Sequence, residues 1–178
     1  MQSQMHIITG GPGSGKTSLI EALAAQGLHH MPEAGRAIIQ DQVDIGGTAL
    51  PWADREGFAQ MMLAWELRSY REAVDLPGPV IFDRGIPDVI GYLKLCDLPV
   101  PLTLQRAAQQ RRYARKVFIA PFWPKIFRQD SERRQTAAEA EATHSAMVEA
   151  YTDLGYDLVP LPMASVADRA AFVCASIA

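Results

Sequence analysis

The sequence predicts an α/β fold, a three-layer α/β/α sandwich with five parallel strands in its middle layer. Short apolar runs alternate with longer amphipathic stretches along the chain, which is typical of a parallel sheet with helical crossovers. A glycine-rich segment stands between the first apolar run and the first amphipathic stretch. No repeat or low-complexity linker interrupts the 178 residues, so we expect one domain over residues 1–178.

The predicted strands are short and mostly apolar, as strands covered on both faces should be. Each is followed by a glycine, a proline or a charged residue that suits a turn or the start of a helix. The five segments are Met5–Thr9, His29–Pro32, Val80–Phe82, Lys116–Ala120 and Tyr156–Leu161.

The predicted helices follow stretches in which apolar residues recur with a helical period. Gly27 suits the end of the first helix, and the run Leu76-Pro-Gly-Pro79 ends the third. Asp88 is expected to be the N-cap of the fourth helix, and Ser165 with Asp168 a capping box for the last. The expected helices cover residues 16–26, 36–41, 54–74, 88–95, 102–113 and 131–154, and a last one begins at residue 165.

Residues 10–17 read GGPGSGKT and match the full G-x-x-x-x-G-K-[ST] pattern of a phosphate-binding loop, in the strand–loop–helix context it requires. Glycines allow the backbone to aim several N–H groups at one anion, and the helix N-terminus adds partial positive charge. Lys16 is expected to reach the terminal phosphates of ATP, and the Thr17 hydroxyl to bind Mg²⁺. A glycine-rich turn without a ligand is the alternative. The expected nucleotide contacts are Gly10, Gly11, Pro12, Gly13, Ser14, Gly15, Lys16, Thr17 and Ser18.

The string VIFDRG places Asp83 at the carboxyl end of the third strand, where open α/β sheets bind ligands. Asp83 is therefore expected on the Mg²⁺ side of the site, with a turn residue as the alternative. Arg84 stands where many ATP-hydrolysing motors carry a glutamate, which favours transfer to a bound substrate over rapid hydrolysis. A small GTPase is not expected, since no N/T-K-x-D guanine signature follows the loop.

Glu33 follows the second strand in the string MPEAGR and is expected on the acceptor side of the phosphate loop. A carboxylate there can accept a proton from an attacking hydroxyl or hydrogen-bond a sugar. Arg36 lies one helical turn further on and is expected to contact substrate. The alternative for both is an exposed surface pair of opposite charges.

Residues 121–134 read PFWPKIFRQDSERR and combine aromatic side chains with basic ones. They follow the fourth strand, where nucleoside and nucleotide kinases carry a mobile lid, and we call them the lid segment. Arg128 and Arg133 are expected to stabilise the transferring phosphoryl group, and Trp123 to contact substrate. The alternative is a hydrophobic corner followed by a solvated helix face. Trp52 and Trp65 are expected to be core or loop anchors.

Composition and charge exclude several classes of protein. The formal net charge is −3 with acids and bases mixed along the chain, so no broad basic face for nucleic acid is expected. No apolar run is long enough for a bilayer, and no leader-like segment precedes the first strand. Cys96 and Cys174 are expected to be reduced thiols in a cytoplasmic protein.

With these residues in view, the chain resembles the NadR-like P-loop ATPase family, named after the nicotinamide riboside kinase half of a bifunctional NAD-biosynthesis regulator. The resemblance implies a nucleoside-kinase fold with sheet order 2-3-1-4-5, predicted ATPase activity, and kinase activity in a subset of members. It also implies that Lys16 and Thr17 bind phosphate and Mg²⁺, Asp83 lies on the metal side, and Arg128 and Arg133 belong to a lid. The motifs that carry it are GGPGSGKTS, PEAGRAII, VIFDRGIPD, VFIAPFWPKIFRQDSERRQ and LGYDLVPLPMASVADRAAFV.

Two classes of function follow as hypotheses. The first is an Mg-ATP-dependent phosphotransferase for a small, hydroxyl-bearing, nucleoside-like metabolite, bound between Glu33, Arg84 and the lid segment. The alternative is a nucleotide-binding regulatory switch, or a slow ATPase, without a small-molecule acceptor. A deep pocket beside the γ-phosphate position, lined by Glu33, Asp83 and Arg84, favours the kinase, whereas a flat surface favours the switch.

Overall fold

The sheet has the predicted five parallel strands. A computed structural model of the chain describes residues 4–126 and 136–177. The strand order is β2-β3-β1-β4-β5, which is the order that the family resemblance implied. The strands are β1 (Met5–Gly10), β2 (His29–Met31), β3 (Val80–Asp83), β4 (Lys116–Ala120) and β5 (Asp157–Pro160).

Seven helices connect and cover these strands in the described part of the chain. The second is longer than predicted, because the left-handed Gly46 ends it rather than the residues after Asp41. The sixth begins after Thr136, whose side chain forms a capping box with Glu139. The predicted start of this helix at residue 131 lies outside the described residues. The helices are α1 (Lys16–Ala25), α2 (Ala34–Ile45), α3 (Arg55–Val74), α4 (Ile86–Leu95), α5 (Leu102–Gln110), α6 (Ala137–Asp153) and α7 (Val166–Ile177).

Two apolar cores lie on opposite faces of the sheet and define the three layers. Successive residues of a strand point to opposite faces, so Ile7 enters one core and Ile8 the other. The core of Ile8 packs the sheet against α1 and α7, and the core of Ile7 packs it against α3, α4, α5 and α6. Both isoleucines are fully buried.

Strand register sets the geometry of the site. β1 lies between β3 and β4 and pairs in parallel with both. Ile8 is opposite Asp83 of β3, and Gly10 is opposite Ala120 of β4. The carboxyl ends of three strands therefore meet at the residue where the glycine-rich segment begins. In residues 4–126 and 136–177 no helix has the length and apolarity needed to cross a bilayer.

Candidate active site

The segment 10–17 connects β1 to α1, as predicted. Gly10, Gly13 and Gly15 have φ values of 132°, 67° and 78°, a region that side chains disfavour. Gly10 also has no room for a side chain, because a Cβ would lie 2.5 Å from the carbonyl oxygen of Ala120. The pattern of glycines in the motif thus matches positions where the backbone requires them.

The N-terminus of α1 is left uncapped by side chains. Its N-cap is Gly15, which has no side chain, and the first turn carries no acidic residue. Within residues 4–126 and 136–177, the N–H groups of the first turn therefore have no capping side chain, which suits an anion such as a phosphate. Thr17 is exposed in this turn, so its hydroxyl is available to a ligand.

Lys16 is buried within the same loop. Its Nζ donates to the carbonyl oxygens of Gly10, at 3.2 Å, and Gly11, at 2.7 Å, and to Ser14 Oγ, at 3.3 Å. Ser14 Oγ in turn donates to the Gly11 carbonyl oxygen over 2.8 Å. The ammonium group is thus held against the loop on which a polyphosphate would lie.

Arg169 of α7 supports the loop from the other side and was missed by the sequence analysis. Its Nη1 donates to the Ser14 carbonyl oxygen at 3.0 Å, and the side chain is only 2% exposed. The guanidinium lies 5.9 Å from the ring centre of Trp123, and burial lowers its pKa. The sequence signal that could have identified Arg169 is its position directly before Ala170, a residue on the apolar face of the last helix.

Asp83 is buried at the carboxyl end of β3, beside the strand that leads into the loop. Its carboxylate and the Thr17 hydroxyl are the hard oxygen donors that Mg²⁺ prefers, and Mg²⁺ commonly uses one carboxylate together with substrate phosphates. Within the two described ranges, no group of three His, Cys, Asp or Glu side chains could hold a metal by itself. The residues present therefore fit a metal that arrives with a nucleotide.

Arg84 lies between two carboxylates. Its Nε is 3.4 Å from Glu33 Oε1, and its Nη1 is 3.2 Å from Asp88 Oδ1. Burial alone lowers the pKa of Arg84, but Glu33, Asp88 and Asp83 outweigh it and raise the pKa. Arg84 also has a φ of 72°, while its N–H still donates to the Ile8 carbonyl oxygen at 3.0 Å. Such left-handed backbone is uncommon for a residue other than glycine and often marks a functional site.

Asp88 corrects the sequence analysis, which made it the N-cap of α4. The helix begins two residues earlier, because Pro87 is tolerated in a first turn and Gly85 takes the N-cap position. Asp88 Oδ2 accepts from the Gly85 N–H at 3.0 Å and from the Tyr151 hydroxyl, and Oδ1 accepts from the Thr9 hydroxyl. With Arg84, four donors converge on one buried carboxylate that joins β1, α4 and α6.

A cavity of about 320 Å³ opens beside the phosphate loop. Pro12 of the loop lines it, together with Glu33 and Arg84, two of the three residues that the acceptor hypothesis named. Asp83, Arg36 and Trp123 are not among its lining residues: Arg36 is half-buried on α2, and Trp123 is beside Arg169. The other walls come mainly from α3, α4 and α6, and include Phe58, Met62, Glu66, Asp88, Tyr92, Glu139 and Thr143.

Two further residues line the cavity although the sequence analysis did not place them there. Glu66 of α3 is only 3% exposed, and the sequence analysis did not single it out. Burial, followed by the nearby charges of Asp88, Asp83 and Glu33, raises its pKa well above the usual range, although Arg84 acts in the opposite direction. Trp52, expected to be an anchor, is 64% exposed and lines the cavity. Trp65 is half-buried and packs against the small core of Ala34, Ile38 and Phe58.

The lid segment is described only in part. Residues 121–126 follow β4, and Phe122 and Trp123 are half-buried there. The predicted phosphate contacts Arg128 and Arg133 lie outside the described residues. Their place in the site therefore stays a prediction.

Fold and loop define the class of the protein as a P-loop NTPase. A family model described as an AAA domain matches residues 5–169, and the chain belongs to this family. Curated proteins include no match to the sequence. The match, together with the structural likeness to NadR given below, confirms the resemblance to the NadR-like P-loop family.

Solved structures with the same fold include several kinases. A deoxyadenosine kinase from M. mycoides with bound dATP is 15% identical, with a TM-score of 0.68 over 97% of this chain and 98% of that one. NadR protein in complex with NR is 17% identical, with a TM-score of 0.67 over 89% of this chain and 43% of that one. Thymidylate kinase from Candida albicans is 13% identical, with a TM-score of 0.67 over 99% and 91%.

Proposed function

We propose that the protein is an Mg-ATP-dependent phosphotransferase that phosphorylates a hydroxyl group of a small, nucleoside-like metabolite. The observation that carries the proposal is the cavity of about 320 Å³, which begins at Pro12 of the phosphate loop and contains Glu33 and Arg84. A cavity of this size suits a small metabolite. A regulatory switch without an acceptor does not need such a pocket, so the cavity favours the kinase over the alternative.

The donor side of the proposed reaction uses the loop. The N–H groups at the start of α1 and the Lys16 ammonium would hold the β- and γ-phosphates. The hydroxyl oxygen of Thr17 and the carboxylate of Asp83 would hold Mg²⁺. Bound Mg²⁺ neutralises negative charge on the phosphates. The lid arginines Arg128 and Arg133 are proposed to add positive charge around the transferring group.

The acceptor side of the proposed reaction uses Glu33. Its carboxylate accepts the proton of the substrate hydroxyl as that oxygen bonds to the γ-phosphorus, while the bond from this phosphorus to the ADP oxygen breaks. Arg84, 3.4 Å from Glu33, orients the carboxylate and is itself fixed by Asp88. Because the proposed donor is ATP, we also place the reaction in the cytoplasm.

A panel of small metabolites with ATP and Mg²⁺, scored for ADP release that depends on the acceptor, tests the proposal. Lys16→Ala is expected to abolish the signal, whereas Lys94→Ala removes a surface charge paired with Glu149 and Asp153 and should preserve it. A signal that survives in Lys16→Ala contradicts the assigned site. ADP release that is equal with and without every acceptor favours a slow ATPase.

Glu33→Gln separates the two sides of the site. The change removes the proposed proton acceptor and should slow transfer by roughly 10²–10⁴-fold, while ATP affinity stays within about twofold. ATP binding is measured by calorimetry and transfer by ADP release. A collapse of ATP affinity would place Glu33 on the donor side instead.

A further inference from the structure

One wall of the cavity carries a carboxyl group to which no group of residues 4–126 and 136–177 donates a hydrogen bond, and its oxygens are open to the cavity rather than sealed in the core. This is Glu66 in the middle of α3, which is 3% exposed and lines the cavity. Buried polar side chains nearly always have a partner, because an unpartnered one costs folding free energy. A carboxyl group without a protein partner at the wall of a cavity indicates that a bound ligand supplies its hydrogen bonds.

The charges around Glu66 are mainly negative. Glu33 and Asp88 line the same cavity, and Asp83 lies close enough to act on it. Among the lining residues that the structure describes, Arg84 is the one Lys or Arg, and it already pairs with Glu33 and Asp88. From the described residues, an acceptor with a carboxylate or phosphate at this end of the cavity would therefore meet repulsion and no unpaired cation.

The protonation of Glu66 agrees with this environment. Burial and the neighbouring carboxylates raise its pKa, which favours the form that holds a proton. A protonated carboxyl both donates and accepts a hydrogen bond, so its natural complement is a group with one acceptor beside one donor.

The walls near Glu66 suit a flat ring. Phe58 and Tyr92 line the cavity with their rings edge to face, 5.4 Å between centres. Met62 comes from the same helix as Glu66, and the exposed ring of Trp52 lies at another wall. Aromatic and thioether surfaces favour contact with a planar heterocycle.

We propose that Glu66 is a specificity-determining residue that binds the ring of the acceptor through a paired donor–acceptor edge, such as the amide or amidine edge of a nucleobase. This inference rests on the proposed function, since it takes the cavity as the acceptor site. It narrows the acceptor class to ring compounds that carry no negative charge at that end. Glu66 holds the substrate and takes no part in the transfer step.

Stability of the ligand-free protein gives the first test, because it needs no known acceptor. Glu66→Met replaces an unpartnered carboxyl by an apolar side chain and should raise Tm by about 2–4 °C. Glu66→Gln keeps an unpartnered polar group and should leave Tm near the wild-type value at about pH 4.5, where the cost of ionising the carboxyl does not yet enter. Glu72→Met, at an exposed position of the same helix, is the matched control. A lower Tm in Glu66→Met shows that the carboxyl is structural and overturns the proposal.

Kinetics with defined acceptors give the second test. Deoxyadenosine, deoxycytidine and thymidine each present a donor beside an acceptor, and shikimate is the anionic comparator. Glu66→Gln retains both hydrogen-bond functions and should keep the acceptor KM within about threefold, whereas Glu66→Met should raise it at least tenfold. The KM for ATP should change less than about twofold in both. An unchanged acceptor KM in Glu66→Met contradicts the inference, as does a preference of the wild type for shikimate.

Calorimetry separates the two proposals if the wild type releases no ADP with any of these acceptors. The proposed phosphotransfer to nucleosides then fails, and direct binding of the same three nucleosides decides the role of Glu66. Binding that is lost in Glu66→Met supports the recognition role. Equal binding by both proteins, or no binding of any nucleoside by the wild type, overturns it.

Discussion

Asp88→Asn is expected to be among the most destabilising conservative substitutions in the protein. The two Asp88 oxygens together accept four hydrogen bonds, from Thr9, Tyr151, Gly85 and Arg84. Asparagine has the same shape but replaces one of these oxygens by an NH₂ donor. Each Asp88 oxygen accepts two of the four hydrogen bonds, so whichever oxygen is replaced, two of the surrounding donors then point at the new NH₂ group.

The size of the effect follows from which of these donors can adapt. The Thr9 and Tyr151 hydroxyls can rotate and accept from the new NH₂ group, whereas the Gly85 N–H and the Arg84 guanidinium can only donate. At least one buried hydrogen bond to a charged group is lost, at about 1.5–3 kcal/mol, and Arg84 loses a counter-charge. We expect the free energy of unfolding to fall by about 3 kcal/mol, which lowers Tm by about 6–12 °C in a chain of this length.

Urea unfolding of Asp88→Asn beside Asp153→Asn measures this difference. Asp153 is also an aspartate in an ion pair, 2.7 Å from Lys94 Nζ, but its side chain is 59% exposed. Exposed pairs contribute little, so Asp153→Asn should change the free energy of unfolding by less than about 1 kcal/mol. If the two variants unfolded at the same urea concentration, the convergence of donors on Asp88 would not stabilise the fold and the reasoning would be wrong.

Three further predictions concern the loop, the turn after β3 and the buried glutamate. Arg169→Met removes the donor to the Ser14 carbonyl oxygen and should weaken ATP binding about tenfold in calorimetry. Gly85→Ala places a Cβ 2.6 Å from Ile7 Cδ1 in the core and should lower the free energy of unfolding, measured in urea, by about 1–3 kcal/mol. Because folding raises the pKa of Glu66 above 4.5, the folded state binds its proton more tightly, and this residue lowers stability increasingly as pH rises above about 4.5. The stability of Glu66→Gln relative to wild type should therefore increase between pH 4.5 and 7 in urea titrations.

Each of these three predictions has an outcome that contradicts it. Arg106→Met, at an exposed arginine, should not change ATP binding, and an equal loss in both arginine variants would disprove the role of Arg169. A Gly85→Ala protein as stable as wild type would mean that Ile7 moves aside without cost. A relative stability of Glu66→Gln that stays flat with pH, as expected for the exposed Glu72→Gln, would show that folding leaves the Glu66 pKa unchanged.

Local patterns carried most of the fold prediction, and these predictions are confirmed. The strands and helices follow from apolar periodicity, which depends on residues a few positions apart, and their bounds differ from expectation mainly at the ends. Asp88 shows where such reasoning fails. Its position at a helix start predicted a cap, but its side chain reaches Thr9 and Tyr151, which are 79 and 63 residues away.

The acceptor side of the site shows again that local patterns cannot place residues brought together by tertiary packing. Glu33 and Arg84 could be placed near the site because both follow strand ends, and parallel strands align those ends. Glu66 could not, because it lies within a long helix and nothing nearby in the sequence distinguishes it from a surface glutamate. Trp52 was equally ambiguous, since a tryptophan in a loop can face either the core or a cavity.

The sequence by itself determined that the chain is a parallel α/β protein with a phosphate-type loop at residues 10–17, because eight consecutive residues and short-range periodicity contain that information. Only the tertiary structure decided the shape and charge of the cavity. Its walls come from α2, α3, α4 and α6, which side-chain packing brings together across more than a hundred residues of chain. Whether a carboxyl such as Glu66 keeps its proton depends on desolvation and on neighbouring charges, and both exist only after these elements have packed.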